Sequence, residues 1–442
     1  MKKNVYIETY GCQMNLADTE IVKGVLHNNG YGSTENIDEA DVILMNTCSV
    51  RDNAEQRIFG RLGNFKKLKA SETKKVIGIL GCMAERLKDK LINDEKVVDV
   101  VVGPDEYRKL PGLIDEAFHG NKGIGVKLSK TETYDDIPPY REEGLAAWIP
   151  IMRGCDNFCT YCIVPFTRGR ERSRSFEHIL NEVKDLSERG FKEISFLGQN
   201  VNSYNIEGKD FADLMDACAK VDRRIRLRFA TSHPKDLSDK LLDVIAANSN
   251  ICNYIHLPVQ SGSTRVLEAM KRTYTIEHYL GLVERARKKI PDVSFTTDVI
   301  AGFPTETEEE HQMTLDVFAK VRYDGAFMFK YSPREGTRAY KMEDDVPEDI
   351  KKRRLNEIID LQQRISNEIN QALIGSEAVV LVEGHSRKSD QQLSGRSDTN
   401  KVIVMDAVEG VGKGDYVKVK ITSATSATLF GEFIEVLEIE KD

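Results

Sequence analysis

Gly154-Cys155-Asp156-Asn157-Phe158-Cys159-Thr160-Tyr161-Cys162 carries three cysteines within eight residues, at the spacing C-x₃-C-x₂-C. A loop of this length can turn three thiolates towards one point. A [4Fe–4S] cluster usually takes four cysteine ligands, so a loop with three leaves one iron open. Catalytic metal sites keep such an open position. The apolar run at 146–152 predicts a buried strand before the loop. We therefore expect the cysteines at the carboxyl end of a strand, where barrel active sites are built.

The same spacing has two plainer interpretations, a structural zinc site or simply buried thiols. Zinc would need a fourth ligand, which the loop itself does not supply. The spacing after a predicted strand resembles the radical S-adenosylmethionine (SAM) enzymes. That resemblance implies that the amino and carboxylate groups of SAM chelate the open iron. It also implies that an electron from the cluster cleaves SAM to methionine and a 5′-deoxyadenosyl radical.

The bulk composition is that of an ordinary soluble protein, with 442 residues, 40% apolar and 30% charged. This length allows two or three domains. Neither a run of 18 apolar residues nor a signal-peptide core is present, so we expect a cytoplasmic protein without membrane contact. Thiols stay reduced there, and clustered cysteines indicate metal. Cys218 and Cys252 stand in apolar contexts and are expected to be buried small hydrophobes. The net charge of −8 argues against non-specific coating of nucleic acid but leaves a local basic face open.

A second cysteine set lies in the first part of the chain, residues 1–115. Cys12, Cys48 and Cys82 each follow a strand-like run, and helix-like segments separate the runs. Strands that alternate with helices predict a parallel α/β sheet covered on both faces. Because parallel strands end at one edge, the three thiols should converge there and could hold a second cluster. The alternative is that each is a buried strand-end cysteine.

Two such triads in one chain resemble the methylthiotransferases. The segments Thr9–Asn15 and Asn46–Arg51 resemble the branch that modifies tRNA carrying an isopentenyl group. The branch acting on a ribosomal protein tends to have Pro-Lys-Asn after the first cysteine, and the threonylcarbamoyl-adenosine branch Lys-Val-Asn. Gln13-Met14-Asn15 fits neither pattern.

The middle of the chain is expected to begin with a linker, residues 116–145, rich in turn-forming residues. About six strand–helix units follow in residues 146–372, and the resemblance implies an open (β/α)₆ radical SAM barrel. It also implies SAM contacts from the cysteine loop and from the loops after the strands. The candidates are Phe158, Tyr161, Gly198, Gln199, Asn200, Gln260, Ser261 and Gly302.

Two stretches are candidates for RNA contact. An arginine run beside the cysteine loop could bind phosphates, or it could be a solvated face. Short strands in residues 373–442 predict a small antiparallel β-barrel of oligonucleotide-binding shape, and the loop Gly395–Lys401 resembles the TRAM domain, an RNA-binding module. A passive structural barrel is the alternative. The candidate contacts are Arg168, Arg170, Arg172, Arg174, Arg387, Lys388, Arg396 and Lys401.

The resemblance covers nearly the whole chain and implies transfer of a methylthio group to carbon 2 of N6-isopentenyladenosine at position 37 of tRNA. It implies two [4Fe–4S] clusters, on Cys12, Cys48 and Cys82 and on Cys155, Cys159 and Cys162, and two SAM molecules. The expected partners are tRNA and an electron donor such as a flavodoxin or ferredoxin, and we expect a monomer. Three alternatives stay open: the threonylcarbamoyl-adenosine substrate, a non-catalytic iron–sulfur tRNA-binding protein, and zinc-dependent RNA binding.

Overall fold

The amino-terminal part of the chain is a parallel α/β sandwich. The computed structural model describes residues 2–49, 52–69 and 75–440. Within these residues the first sheet has strand order β2-β1-β3-β4-β5-β6, with every pairing parallel. Its elements are β1 (Asn4–Thr9), α1 (Gln13–Asn28), β2 (Gly32–Ser33), β3 (Val42–Thr47), α2 (Asp52–Lys69), β4 (Val76–Gly81), α3 (Cys82–Leu87), α4 (Asp89–Asp94), β5 (Val100–Val102), α5 (Leu110–Phe118) and β6 (Gly123–Gly125).

The central strands of this sheet are buried on both faces, which explains their unbroken apolar runs. All residues of β3 and β4 are buried. Helices α1 and α5 cover one face with Val22 and Ile114, and α2 covers the other with Leu62. Strand β6 lies beyond residue 115, so the sheet extends into the stretch expected to be a linker. The domain boundaries themselves stay predictions.

The middle of the chain forms the predicted open barrel. Strands β7-β10-β13 and β14-β15-β16 form two parallel sheets, and a parallel bridge between Leu227 and Ile251 joins them. The elements are β7 (Ala146–Pro150), β8 (Met152–Arg153), α6 (Val164–Arg168), β9 (Arg172–Ser173), α7 (Phe176–Glu188), β10 (Glu193–Leu197), β11 (Asn205–Ile206), β12 (Lys209–Asp210), α8 (Phe211–Ala219), β13 (Arg226–Phe229), α9 (Asp239–Ala247), β14 (Tyr254–His256), α10 (Thr264–Ala269), α11 (Ile276–Lys289), β15 (Ser294–Ala301), α12 (Glu308–Val321), β16 (Gly325–Lys330) and α13 (Glu348–Ala372).

The barrel helices begin where the sequence supplies caps. In α12, Thr307 and Glu310 form a reciprocal capping box, and Asp210 and Asp213 do the same for α8. The apolar faces of these helices bury residues such as Phe318 against the strands, in one continuous core. This core fixes the positions of the strand ends and therefore of the loops that follow the strands.

The carboxy-terminal part is a small closed barrel, as predicted. Its strands are β17 (Glu377–Ser386), β18 (Ser389–Arg396), β19 (Val402–Asp406), β20 (Tyr416–Ala424) and β21 (Leu429–Leu437). They close in the order β17-β18-β19-β21-β20. The pairings are antiparallel except for β19 with β21, which is parallel. In the part of the chain that the structure describes, no helix has the length and apolar character needed to cross a membrane.

Candidate functional site

Cys12, Cys48 and Cys82 stand at one edge of the amino-terminal sheet, as the strand pattern predicted. Cys12 follows β1 and caps α1, Cys48 follows β3, and Cys82 opens α3 directly after β4. These three strands are neighbours in the sheet. The carboxyl ends of neighbouring parallel strands bring the three thiols together, and we call them the first triad.

Two glycines make this close approach possible. Gly11 has φ +123°, and a Cβ placed on it would lie 2.5 Å from the Cβ of Cys48. Gly81 has φ +89°, and its Cβ would lie 2.5 Å from Oδ1 of Asn46. Residues with side chains rarely adopt such backbone conformations. A glycine before Cys12 and another before Cys82 therefore let the strand ends pack against the Cys48 loop.

The thiols of the first triad influence one another. A hydrogen bond from Cys48 lowers the pKa of Cys12 to about 6; burial opposes this shift and the Arg168 guanidinium supports it. Burial raises the pKa of Cys82, and Arg168 counteracts part of that effect. The thiolate is the form that binds iron. A cation from the barrel thus lies beside the triad and favours its metal-binding form.

Cys155, Cys159 and Cys162 form a second triad on the loop after β8. The backbone N–H of Cys162 donates to the carbonyl of Cys159 at 3.0 Å, and that of Cys155 donates to Gly169 at 3.1 Å. Asn157 Nδ2 donates to Cys155 Sγ and Arg272 Nη1 donates to Cys159 Sγ, each at 3.5 Å. The loop is therefore held in shape by its own backbone and by hydrogen bonds to two of its sulfurs.

Burial raises the pKa of two thiols in the second triad. The pKa of Cys155 is raised to about 11 and that of Cys162 to about 12, with burial as the largest cause and the charge of the neighbouring Cys159 acting in the same direction. The thiols are thus close enough to repel one another as thiolates. A metal that binds them must supply the positive charge that keeps them deprotonated.

Each triad offers three cysteine sulfurs, which are the ligands that hold iron–sulfur clusters. In the described residues, no group of three or more His, Cys, Asp or Glu side chains is arranged to hold one metal ion. Three sulfur ligands at each triad leave one iron of such a cluster without a protein ligand.

Loops around the mouth of the barrel supply polar groups that suit SAM. Gly198 follows β10, and a Cβ there would lie 2.6 Å from Met152 Cγ. Asn200 donates through Nδ2 to Asp236 at 2.6 Å. Gln199 Oε1 and Asn200 Oδ1 are buried without a hydrogen-bond partner in the described part of the chain. Buried oxygens of this kind need a donor, and the amino group of SAM is a donor.

The remaining SAM candidates lie at the same end of the barrel. Gln260 has φ +67° and is fixed by two backbone hydrogen bonds, to the Asp298 carbonyl at 2.8 Å and from the Ile300 N–H at 3.0 Å. Ser261 is fully buried. Gly302 has φ +70°, and its N–H donates to Glu306 at 2.7 Å.

Phe158 and Tyr161, the aromatic candidates, lie within the cysteine loop. Phe158 makes an edge contact with Phe166, and the Arg170 guanidinium lies 5.0 Å from its ring centre. Tyr161 makes an edge contact with Phe303, which follows Gly302. The aromatic contacts therefore link the cysteine loop to the loop after β15.

The two triads belong to parts of the chain that are joined by buried ion pairs. Asp18 of α1 is fully buried and binds Arg153 and Arg168, the latter at 2.7 Å. Asp105 binds Arg172 at 2.8 Å. Arg168 belongs to α6, which begins two residues after Cys162, and it also acts on Cys12 and Cys82. One short segment therefore connects the second triad to the first.

These ion pairs show where the structure places the arginine run. Arg168, Arg172 and Arg174 are buried; Arg174 binds Asp135 at 2.6 Å and Glu182 at 3.0 Å. Carboxylates already balance the charges of these three arginines, and phosphate contact for them stays a prediction. Arg170 is exposed and pairs with Asp156 at 3.0 Å, and for it phosphate contact stays a prediction.

The loop Gly395–Lys401 does not project into solvent, because it docks on the barrel. Arg228 of β13 donates to the carbonyls of Asp398 at 2.9 Å and Ser397 at 2.6 Å. Lys401 binds Asp324 at 2.6 Å. Asp324 directly precedes β16, so the small barrel lies at the opposite end of the strands from the cysteine loop.

The expected RNA contacts on the small barrel differ in how exposed their side chains are. Lys401 has an exposed side-chain fraction of only 14%, because it binds Asp324, and its contact with RNA stays a prediction. Arg396 is partly exposed and pairs with Glu383 at 3.1 Å. Arg387 and Lys388 stand exposed at the turn between β17 and β18. For these last three residues, RNA contact also stays a prediction.

Three family profiles match the chain. The profile described as "Uncharacterized protein family UPF0004" matches residues 4–103, that of the Radical SAM superfamily residues 149–318, and that of the TRAM domain residues 371–434. Each matched segment overlaps one of the three parts of the chain described above: the amino-terminal sheet, the open barrel or the small closed barrel.

Relatives match nearly the full length. The tRNA-2-methylthio-N(6)-dimethylallyladenosine synthase of Parabacteroides distasonis is 53% identical over 441 residues, covering 98% of this chain and 96% of the relative. The synthase of Chloroherpeton thalassium is 53% identical over 433 residues, covering 97% and 96%. The chain belongs to the family of tRNA-2-methylthio-N(6)-dimethylallyladenosine synthases. It is thus a radical SAM methylthiotransferase, and the family carries a [4Fe–4S] cluster and SAM.

Solved structures support the fold alone. The radical S-adenosylmethionine methyltransferase TsrM from Kitasatospora setae aligns with TM-score 0.58 at 14% identity, covering 74% of this chain and 73% of that chain. The cobalamin-dependent radical enzyme OxsB aligns with TM-score 0.54 at 12% identity, covering 82% and 56%. Both likenesses agree with a synthase-family chain built around a radical SAM barrel.

Sequence reasoning missed three charged residues at this site: Asp18, Arg153 and Arg272. Asp18 and Arg153 form the buried pair between the two halves, and Arg272 touches the second triad. Each stands within an ordinary stretch of sequence, with no pattern that marks it as buried. The adjacency of Arg153 to Gly154 was the one available signal, since a charge at the end of a buried strand requires a partner.

Proposed function

We propose that this chain transfers a methylthio group to carbon 2 of N6-isopentenyladenosine at position 37 of tRNA, with two [4Fe–4S] clusters and two SAM molecules. The observation that carries the proposal is the pair of cysteine triads, joined by α6 and its residue Arg168. Carbon 2 of adenine is not activated towards polar chemistry, which is why a radical cofactor is required.

In this proposal the predicted domains divide the work. Residues 1–115 hold one cluster on Cys12, Cys48 and Cys82, and residues 146–372 hold the other on Cys155, Cys159 and Cys162. The second cluster, when bound with SAM, supplies the electron that cleaves SAM. The chain orients SAM through the loops that contain Gly198–Asn200, Gln260–Ser261 and Gly302. Residues 373–442 contribute RNA contacts through Arg387 and Lys388.

The position of the triads sets a requirement on the substrate. The adenine must leave its stack to reach groups held in loops at strand ends, as base-modifying enzymes require. We further propose that the protein works in the cytoplasm, where thiols stay reduced, and that a flavodoxin or ferredoxin is the electron donor. We propose that a monomer suffices, because both triads and the SAM loops belong to one chain.

The test is nucleoside mass spectrometry on tRNA from cells that lack this gene, with the gene restored or absent. We expect isopentenyladenosine without its methylthio group to accumulate, and to regain the group on complementation. Complementation with a Cys48→Ala variant should fail, whereas Cys218→Ala, a buried cysteine outside both triads, should restore the product. Fully methylthiolated isopentenyladenosine in the deleted strain would contradict the proposal.

A further inference from the structure

Arg272 is a buried cation that approaches the second triad from outside the cysteine loop. It follows α10, and its side chain is packed beneath the loop with 8% of the residue exposed. Its Nη1 donates to Cys159 Sγ at 3.5 Å. Its Nε donates to the Tyr274 hydroxyl and its Nη2 to the Pro258 carbonyl, each at 3.2 Å.

Among the side chains that the structure describes, no carboxylate balances the charge of Arg272. No Asp or Glu of residues 2–49, 56–66, 68–69 or 75–440 forms a salt bridge with it. The buried arginines Arg153 and Arg168, by contrast, both bind Asp18. A buried cation without a counter-charge is strongly unfavourable. Among the acceptors of Arg272 only the Cys159 sulfur becomes an anion when a metal binds.

The backbone ties Arg272 to the same loop that holds this sulfur. The N–H of Thr160 donates to the Met270 carbonyl at 3.0 Å, and its hydroxyl donates to the Ala269 carbonyl at 2.9 Å. The N–H of Arg272 donates to Leu267 at 2.7 Å. The turn after α10 therefore moves with the residue that follows Cys159, and the contact between Nη1 and Sγ is fixed by the fold.

We infer that Arg272 is a positioning residue for the iron–sulfur cluster of the second triad. Its guanidinium balances the negative charge of the cluster and raises the reduction potential of the cluster through an N–H···S hydrogen bond. Three thiolates give an oxidised [4Fe–4S] core a net negative charge, and reduction adds another. Net charge and hydrogen bonds to sulfur are the factors by which proteins set such potentials. Arg272 therefore makes the cluster easier to reduce.

The inference rests on the ligation proposed for Cys155, Cys159 and Cys162. The test uses the full-length protein with its clusters assembled anaerobically. Redox titration followed by electron paramagnetic resonance gives the potential, and the cluster of interest is the one whose signal changes when SAM is added. If the parent protein has no cluster that responds to SAM, the proposed ligation is refuted. The difference in reduction potential between the parent and an Arg272 variant tests only the role of Arg272.

We expect Arg272→Gln to shift the potential to a more negative value at unchanged iron content. Arg272→Lys keeps the charge but holds it further from Sγ, so its potential should lie between those of the parent and Arg272→Gln. Arg285→Gln, which removes an exposed guanidinium on α11, is the matched control and should leave the potential unchanged.

An unchanged potential in Arg272→Gln, with iron content and SAM response intact, would overturn the inference. Should Arg272→Gln lose its secondary structure by circular dichroism, Arg272→Lys decides. A potential in that variant equal to the parent's would overturn the inference, and a more negative one would support it.

Discussion

Replacing Gly11 by alanine should remove the first cluster and leave the second intact. The added Cβ would lie 2.5 Å from the Cβ of Cys48, whereas two carbons in contact lie about 3.5–4.0 Å apart. The two strand ends must therefore separate by about 1 Å, and Cys48 is itself a proposed ligand. The unfavourable φ of +123° adds strain of about 1–3 kcal/mol.

The assay is a count of iron and sulfide per chain after anaerobic reconstitution. Two clusters give about eight irons and one gives about four, so the expected loss is half of the metal. Release of 5′-deoxyadenosine with dithionite should persist, because the second triad is untouched, and methylthiolation should stop.

Gly30→Ala is the matched control. Gly30 also has a positive φ of +84°, but nothing lies within 4 Å of a Cβ placed there. It therefore reproduces the backbone strain without the overlap, and it should keep full iron content. Full iron content together with normal methylthiolation in Gly11→Ala would refute the account of how the first triad is built.

Three further predictions concern the framework of the site. Asp18→Asn leaves Arg153 and Arg168 buried without a counter-charge and should lower the free energy of unfolding by about 3–5 kcal/mol, measured by guanidinium unfolding. The control Asp239→Asn removes an exposed carboxylate and should show no comparable loss. Equal losses in the two variants would contradict the importance of the buried ion pairs. Burial raises the pKa of Glu85 to about 7, so the folded state favours the protonated acid, and that stabilisation is lost as the pH rises through 7. Glu85→Gln should thus melt above the parent at pH 8 by a margin that shrinks at pH 6, and a constant margin would speak against the shift. Arg228→Met removes the hydrogen bonds to Ser397 and Asp398 and should speed proteolysis in residues 373–376; an unchanged cleavage rate would show that the docking does not depend on Arg228.

The cysteines and the sheets were accessible from the sequence because they depend on local patterns. An apolar run that ends near a cysteine marks the end of a strand at Cys12, Cys48 and Cys82, and the ends of three parallel strands must share one edge. Repeated short strands predict the small closed barrel in the same way. The pattern also predicts about six strand–helix units in the middle of the chain, and the family resemblance implies that they form an open barrel. The periodicity of apolar residues is a local property of the sequence. It can be recognised without knowing which other segment a strand or helix packs against.

The fate of the arginine run was not accessible. Arg168, Arg172 and Arg174 find their carboxylates in Asp18, Asp105 and Asp135, which stand far away in the chain. In the sequence, arginines that are exposed to solvent cannot be distinguished from arginines that form buried ion pairs, because the carboxylate partners are distant in the chain. The same applies to Lys401, whose partner Asp324 precedes β16.

The central claim is tested most directly with purified protein and two anticodon stem-loops, one with N6-isopentenyladenosine at position 37 and one with unmodified adenosine. Mass spectrometry after reaction with SAM and dithionite should show the methylthio group on the isopentenylated stem-loop, and none when Cys12 or Cys159 is replaced by alanine. A product on the unmodified stem-loop at an equal rate would contradict the substrate assignment. The absence of product on both, from protein with two clusters that cleaves SAM, would contradict the claim that the two triads act together on tRNA.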